Sequence, residues 1–370
     1  MQFYMDYNAS APIHQDVLDF IVDSYRFIGN PSSVHTSGRK ARSLIEDARE
    51  NIGRVIDCNA QDVVFTSGAT ESNAMAFKLI NDHKVIISSI EHPSIINQYN
   101  DANLISVSKE GLISIDHLED ILVNFGNTKK FVSVMAVNNE TGVIQPIEKV
   151  SRICKKYGAI LHVDAVQAIG KIPISMKKLN IDLLTISSHK IGGPKGVGCL
   201  IIKESIKNNI NPIIIGGGQE RGLRAGTEAV AQIAGFGKAI QISSNMLINE
   251  TVYSRNELEE NIKNNISNVV IIGEKSPRVA NTSLLSIKGV SAKKLVMALD
   301  LEGYEVSSGS ACSSGKVSDS HVLIAMGLDK SIVQGAIRIS LCKPLSKKVI
   351  IQFSEILSNI VYRLLNYENK

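Results

Sequence analysis

The chain has 370 residues, 44% hydrophobic and 21% charged, and its 40 Lys+Arg against 36 Asp+Glu leave a net charge of +4. At roughly 150 residues per domain this is ordinary globular sequence for two domains, which excludes a disordered chain and a disulfide-stapled miniprotein. So small a basic excess does not point to nucleic acid, and the longest apolar runs, such as 213–215 and 269–272, are far too short to cross a bilayer.

The opening MQFYMDYNASAP has neither a basic segment followed by an apolar stretch nor an Arg-rich transit pattern, so no targeting segment is expected. Strands are expected at 63–66, 84–88, 131–137, 159–164, 182–187 and 197–202. Several are apolar at successive positions, as strands covered on both faces must be. Helices are expected between them at 71–80, 115–123 and 147–156, the last opening after Pro146 and closing on basic residues. This alternation predicts an α/β fold with a mostly parallel sheet. The second half changes character, with long helices at 225–244 and 252–266, strands near 269–272, 281–286 and 336–341, and helices at 291–299 and 347–365. The division expected is a large domain over 15–245 and a small α+β domain made of 1–14 and 246–370. Five cysteines (Cys58, Cys154, Cys199, Cys312, Cys342) lie at wide, irregular spacing with no CxxC pair, which fits a reducing, cytoplasmic setting and no resident metal.

Six tracts carry residue types that packing alone does not call for. In TISSHKIGGPKG a buried strand ends at Ser187, and His189 and Lys190 follow at its carboxyl end, where α/β sheets bind ligands. An amine there is a candidate Schiff-base former; the alternative is a lysine that snorkels to solvent. In LHVDAVQ, Asp164 ends another apolar strand, and a carboxylate so placed needs a cationic or donor partner, such as a pyridinium nitrogen, or serves as a helix cap. Gln167 follows it. In TSGATESN a strand runs through Ala69 and Thr70 into a helix whose first amides could cradle a phosphate, Thr70 being equally a cap. His92 follows the strand 84–88, placed to stack on a ring or to move protons, or to be structural. In SSGSACSSGKVS, Cys312 sits among small polar residues, where a thiol is a statement about reactivity; the other four cysteines read as core. Arg338 in AIRISL suggests a carboxylate partner. No GxGxxG follows the first strand, and no GxxxxGK[ST] occurs.

In this order, SGATESN, EHPS, VNNETG, HVDAVQ, SSHK, GGGQERGLRAGT, SSGSACSSG and RISL resemble the pyridoxal-phosphate cysteine desulfurases of the IscS/NifS type, from MDYNASAP to about residue 345. The resemblance implies the PLP-dependent transferase fold type I and a homodimer with sites at its interface. It also implies roles. Lys190 would hold the cofactor covalently and later act as base, Asp164 would hold the ring nitrogen, and His92 would stack on the ring. Ala69, Thr70, Ser187 and His189 would bind the phosphate, and Thr227 that of the neighbouring subunit. Asn139 and Gln167 would face the ring hydroxyl. Arg338 would clamp the substrate carboxylate, with Asn30 and Asn139 on the same side, and Cys312 would be the nucleophile.

The implied activity converts L-cysteine to L-alanine with a persulfide on Cys312. The sulfur would pass to an acceptor in iron–sulfur cluster assembly or tRNA thiolation, with Cys312 open to a transient iron–sulfur contact and with neither membrane nor direct nucleic-acid binding. A selenocysteine lyase or another class-V aminotransferase is the alternative. Two positions depart from the family pattern: Gly192, where many relatives carry a larger residue, and Cys342, which replaces a glycine after the RISL tract. Some relatives also carry a longer tail that docks an iron–sulfur scaffold, whereas this sequence stops soon after its last helix.

Overall fold

A computed structural model describes residues 2–78, 82–209, 211–243, 248–309 and 319–368. Its centre is a seven-stranded sheet in the order Val63–Thr66, Gly198–Ile202, Leu183–Ser187, Ala159–Asp164, Lys130–Met135, Lys84–Ser88, Asn103–Ile105. Gly198–Ile202 runs antiparallel to both neighbours and every other pairing is parallel. This is the mostly parallel α/β sheet expected from the unbroken apolar runs, and all six residues of Lys130–Met135 are buried. The short edge strand Asn103–Ile105 was not expected.

On one face, the helices Gln15–Ser24, Thr36–Ile56 and Val230–Ser243 bury Val17, Ile21, Ile45, Ile52, Phe236 and Ile240 in one core with Phe65, Val132, Leu161 and Ile186 of the sheet. Two of these helices cross so closely that a Cβ on Gly237 would lie 2.5 Å from Ala48 Cα. The opposite face is covered by Ala69–Phe77 and Pro93–Ile96, whose Met75, Phe77 and Ile95 pack on Val85, Phe131 and Leu200. His162 packs beside both Phe77 and Phe131 and is bonded to Ser133 and Thr185 on the two adjacent strands. Burial holds this imidazole down at about 3, so it is a neutral core residue.

A four-stranded antiparallel sheet, Ser307–Ser308, Ala336–Ser340, Thr282–Ile287, Val269–Ile271, forms a second core with the helices Ile248–Asn265, Ala292–Leu301 and Lys347–Glu368. The opening residues join it. Phe3–Tyr4 pairs parallel to Tyr304–Glu305, Met5 enters the second core, and Asp6 bridges to Ser340. The chain then crosses back, with the Ala11 amide donating to the His189 carbonyl and the His14 amide to that of Gly192. Gly192 has φ +77°, and a Cβ there would lie 2.4 Å from His14 Cδ2, so a larger residue does not fit this chain. The helix expected at 225–244 begins only at Val230, because the preceding stretch with Gly226 at φ +105° stays in a loop. Cys154 and Cys199 are buried and Cys58 half-buried, but Cys342 is exposed. The strand ends at Ser340, and Cys342 lies on the loop beyond it, which corrects its reading as core. Among the described residues no helix is long and apolar enough to cross a membrane, and no group of three or more His, Cys, Asp or Glu side chains could hold a metal.

Candidate active site

The carboxyl ends of Ala159–Asp164 and Leu183–Ser187 open into one cavity of about 620 Å³. Parallel strands end together there, so single residues just past each strand converge from distant parts of the chain. Lys190 ends the 3-10 turn Ser188–Lys190 that follows Ser187. Its Nζ donates to the Asn8 and Ala9 carbonyls at 2.7 and 2.8 Å. Ser187 is buried, and His189 Nδ1 lies 3.3 Å from Ser10 Oγ. Burial, with Lys190 and Lys195 nearby, brings the His189 imidazole down to about 4, so it is neutral.

Asp164 is buried, accepting from Asn73 Nδ2 and from the Val166 amide, each at 3.0 Å. Burial pushes its carboxyl up from the ordinary range, against those two donors, His92 and Lys190. It is a carboxylate supplied with neutral donors and placed where a cationic ring nitrogen would favour its ionised form. His92 caps the helix Pro93–Ile96, its Nδ1 accepting from the Ser94 amide at 3.1 Å, which assigns the ring proton to Nε2. Burial lowers His92, with Lys190 and His321 acting in the same sense and Asp164 opposing. Ser94 Oγ completes a chain from His92 to Asn73 and so to Asp164.

Ala69–Phe77 starts at the cavity wall behind Gly68, which offers no side-chain cap. The first-turn amides of a helix have no acceptor within it, so those of Ala69 and Thr70 are available to an anion. Glu71 behind them accepts from the Ser67 amide at 2.7 Å and from Arg224 Nε at 2.9 Å. Burial works to raise this carboxyl, but Arg224 and Ser67 hold it below its usual value.

Arg338, 1% exposed, lines the cavity opposite Lys190 in the chain order. Its guanidinium donates to the Asn139 carbonyl at 2.9 Å and to Asp6 Oδ1 at 2.7 Å, while its buried Nε has no acceptor. The carboxylate partner expected for this arginine is thus already present as Asp6, and part of the guanidinium's five-donor capacity remains. Gln167 lines the cavity, but its Nε2 donates to the Asn8 carbonyl at 2.9 Å and its Oε1 accepts from Lys171 Nζ at 2.5 Å.

The cavity therefore gathers Ala69, Thr70, His92, Asn139, Asp164, Gln167, Ser187, His189, Lys190 and Arg338. Asn30 is not on this lining; it is exposed, its Oδ1 accepting from the Ser32 amide in the turn before the helix Thr36–Ile56. Thr227 is exposed on the loop carrying Arg224 and does not line this chain's own cavity. Cys312 lies outside the described residues. Residues that the sequence reading passed over are Asp6, Asn8, Asn73 and Lys171. Asn73 stood in the quoted TESN tract, one turn after Thr70, but the other three act across long stretches of chain.

Taken as a receptor, the cavity fits pyridoxal phosphate: free helix amides and hydroxyls for a phosphate, a buried carboxylate lacking a cation, a neutral imidazole and an amine. Comparison with known proteins agrees. The model of the class-V aminotransferase family matches residues 3–351. A protein named cysteine desulfurase from Nostoc sp. is 38% identical over 98% of this chain and 93% of its own length. A crystal structure of a NifS-like protein from Rickettsia africae superposes with a TM-score of 0.89 at 37% identity, covering 99% of this chain and all of that one. A structure described as SspA in complex with cysteine is similar at a TM-score of 0.81 and 29% identity, covering 94% of this chain and all of that one.

Proposed function

The chain belongs to the class-V aminotransferase family, and from that premise we propose that it is a cysteine desulfurase converting L-cysteine to L-alanine, with the sulfur carried as a persulfide on Cys312. Pyridoxal 5'-phosphate is its cofactor and its architecture is the PLP-dependent fold type I. The observation that carries the reading is the convergence of Lys190, Asp164, His92 and Arg338 on one cavity with free helix amides at its end. The relative holding cysteine supports the choice of substrate.

When bound, the cofactor supplies an electron sink for the pair left by loss of a substrate α-proton. The residues do the rest. The Ala69 and Thr70 amides, Ser187 and His189 would hold the phosphate. Asp164, steadied by Asn73 and the Val166 amide, would keep a proton on the ring nitrogen. Neutral His92 would stack on the ring, and Asn139 and Gln167 would face its hydroxyl. Arg338, on the cavity lining, offers its guanidinium to the substrate carboxylate. Lys190 takes the α-proton at Nζ, where the Asn8 and Ala9 carbonyls receive the ammonium that forms. The Cys312 thiolate attacks the substrate sulfur, the carbon–sulfur bond breaks with its electron pair going to carbon, and a sulfur–sulfur bond forms.

We read the chain as a large domain over 15–245 and a small one made of 1–14 and 246–370, acting in the cytoplasm as a homodimer. The dimer is supported by apolar side chains left uncovered on 13–34 and 213–215, with Ile28 93%, Val34 88% and Ile215 84% exposed. Thr227, beside that surface in sequence, would then serve the neighbouring phosphate. The persulfide passes to an iron–sulfur scaffold or a tRNA-thiolation enzyme. Borohydride reduction of the holoenzyme followed by peptide mapping tests the core of the reading. A label on Lys190, with L-cysteine yielding alanine in equal amount to sulfur transferred, is expected. A label on another lysine, or none, overturns it.

A further inference from the structure

A second amine is buried beside the site. Lys171, 7% exposed, lies in the turn after Ala159–Asp164 and donates to Asn8 Oδ1 at 2.8 Å and to Gln167 Oε1 at 2.5 Å. Among the described residues it forms no ion pair with a carboxylate. Packing does not account for an amine here, since a methionine would fill the space without desolvating a polar group. Two acceptors match the two N–H groups of an uncharged amine. Burial, with Lys190 and Arg338 as its nearest charged neighbours, holds Lys171 well below the usual lysine range.

Its partner is a hub. Asn8 is 2% exposed and each of its polar atoms is engaged. The amide donates to Ser340 Oγ at 3.0 Å, and Nδ2 donates to Thr282 Oγ1 at 2.9 Å and reaches the Asn139 carbonyl at 3.4 Å. Oδ1 accepts from Lys171 and, at 3.2 Å, from Asn281. The main-chain oxygen accepts from Gln167 and from Lys190. One face of this residue therefore meets Lys171 and the other meets Lys190.

We propose that Lys171 is a positioning residue for Lys190: by pinning Asn8 it keeps the Asn8 and Ala9 carbonyls aimed at Lys190 Nζ, which gives that amine a prepared resting place whenever it is not bonded to the cofactor. Two fixed carbonyls favour the ammonium form of Lys190, the state it reaches on accepting a proton. A loosened pair favours it less. The other charged or titratable groups facing Lys190 are Asp164, His92 and His189, which no change at Lys171 removes.

The inference rests on Lys190 being the cofactor lysine, but its test does not require turnover. In the full chain freed of cofactor, the rate at which acetic anhydride labels Lys190 is followed against pH by peptide mass mapping, with exposed Lys149 as internal control. Lys171→Met should lower the Lys190 midpoint by about half a pH unit or more, the size expected for weakening one neutral hydrogen-bonded contact. Asn8→Ala should lower it similarly, and the double variant should add nothing further, because both changes remove one contact. Asn8→Ala carries the test by itself if Lys171→Met does not fold. An unchanged midpoint, an upward shift, which would mark Lys171 as a charge, or additive shifts would each overturn the proposal. A lost activity with an unmoved midpoint would refute the positioning role while leaving the desulfurase reading intact.

Discussion

Glu140, in the NNETG tract, is buried against the small sheet, with Ser320 Oγ donating to its Oε2 at 2.5 Å. Burial raises its carboxyl from 4.5 to about 7, against the pull of Ser320 and Arg338. A carboxyl that holds its proton more tightly folded than unfolded makes folding take up a proton. The stability it contributes is therefore present at low pH, lost as pH rises from about 4.5 towards about 7, and level beyond that. At about 1.4 kcal/mol for each pH unit, the whole window is worth about 3 kcal/mol. Between pH 5 and pH 8 the parent should lose about 2.5 kcal/mol through this group. Glu140→Gln keeps an oxygen for Ser320 but has no proton to lose. Urea denaturation of parent and variant holoenzyme at both pH values isolates the group, because contributions from Glu91 and the other buried carboxyls cancel in the difference. The difference between the two proteins should widen in favour of the variant by about 2.5 kcal/mol on going to pH 8. Parallel profiles, within about 0.5 kcal/mol, would refute the reasoning by showing that water or rearrangement reaches this carboxyl.

Three further outcomes are expected. Glu220→Gln should destabilise the protein by about 3 kcal/mol in urea, because Glu220 meets Arg49 through both oxygens at 2.9 and 3.0 Å, both side chains are buried, and the guanidinium would keep only the partly exposed Glu46 as counter-charge. The double change Arg49→Met with Glu220→Leu should recover much of that loss. Arg338→Lys should raise KM for L-cysteine at least about tenfold with a smaller effect on kcat, since an ammonium cannot serve Asp6, the Asn139 carbonyl and a substrate carboxylate together as the planar guanidinium does; an unchanged KM would remove Arg338 from substrate binding. Cys312→Ala should keep the visible absorbance of bound cofactor and abolish sulfur transfer from cysteine, and surviving transfer would take the nucleophile's role away from Cys312.

The sheet was legible because strands buried on both faces must be apolar at successive positions, and Val63–Thr66, Lys84–Ser88 and Ala159–Asp164 fall where that pattern places them. The residues at strand ends were legible for a related reason: Asp164 and Lys190 are polar where a buried run stops. The helix Thr36–Ile56 was passed over although Ala41, Ile45, Ala48, Ile52 and Ile56 recur at helical spacing. Its cap is His35, not one of the usual cap residues, and Gly38 and Gly53 interrupt the pattern. Asn8 and Lys171 could not be read from local pattern. Their contacts span 163 residues to each other, and in the case of Asn8 up to 332 to Ser340, so nothing near either residue in sequence signals them.

The pairing of Phe3–Tyr4 with Tyr304–Glu305 also constrains biogenesis. This segment has no strand to join until roughly 300 residues more have been translated, which at 5–20 residues per second is a wait of about 15 to 60 s. Throughout that interval Met5 and Tyr7 lack their final surroundings, and Asn8 lacks its contacts to Thr282, Asn281 and Ser340. An active pocket can thus be assembled only after Tyr304–Glu305 has been made, so a nascent chain shorter than that would not hold a reactive aldehyde cofactor in place.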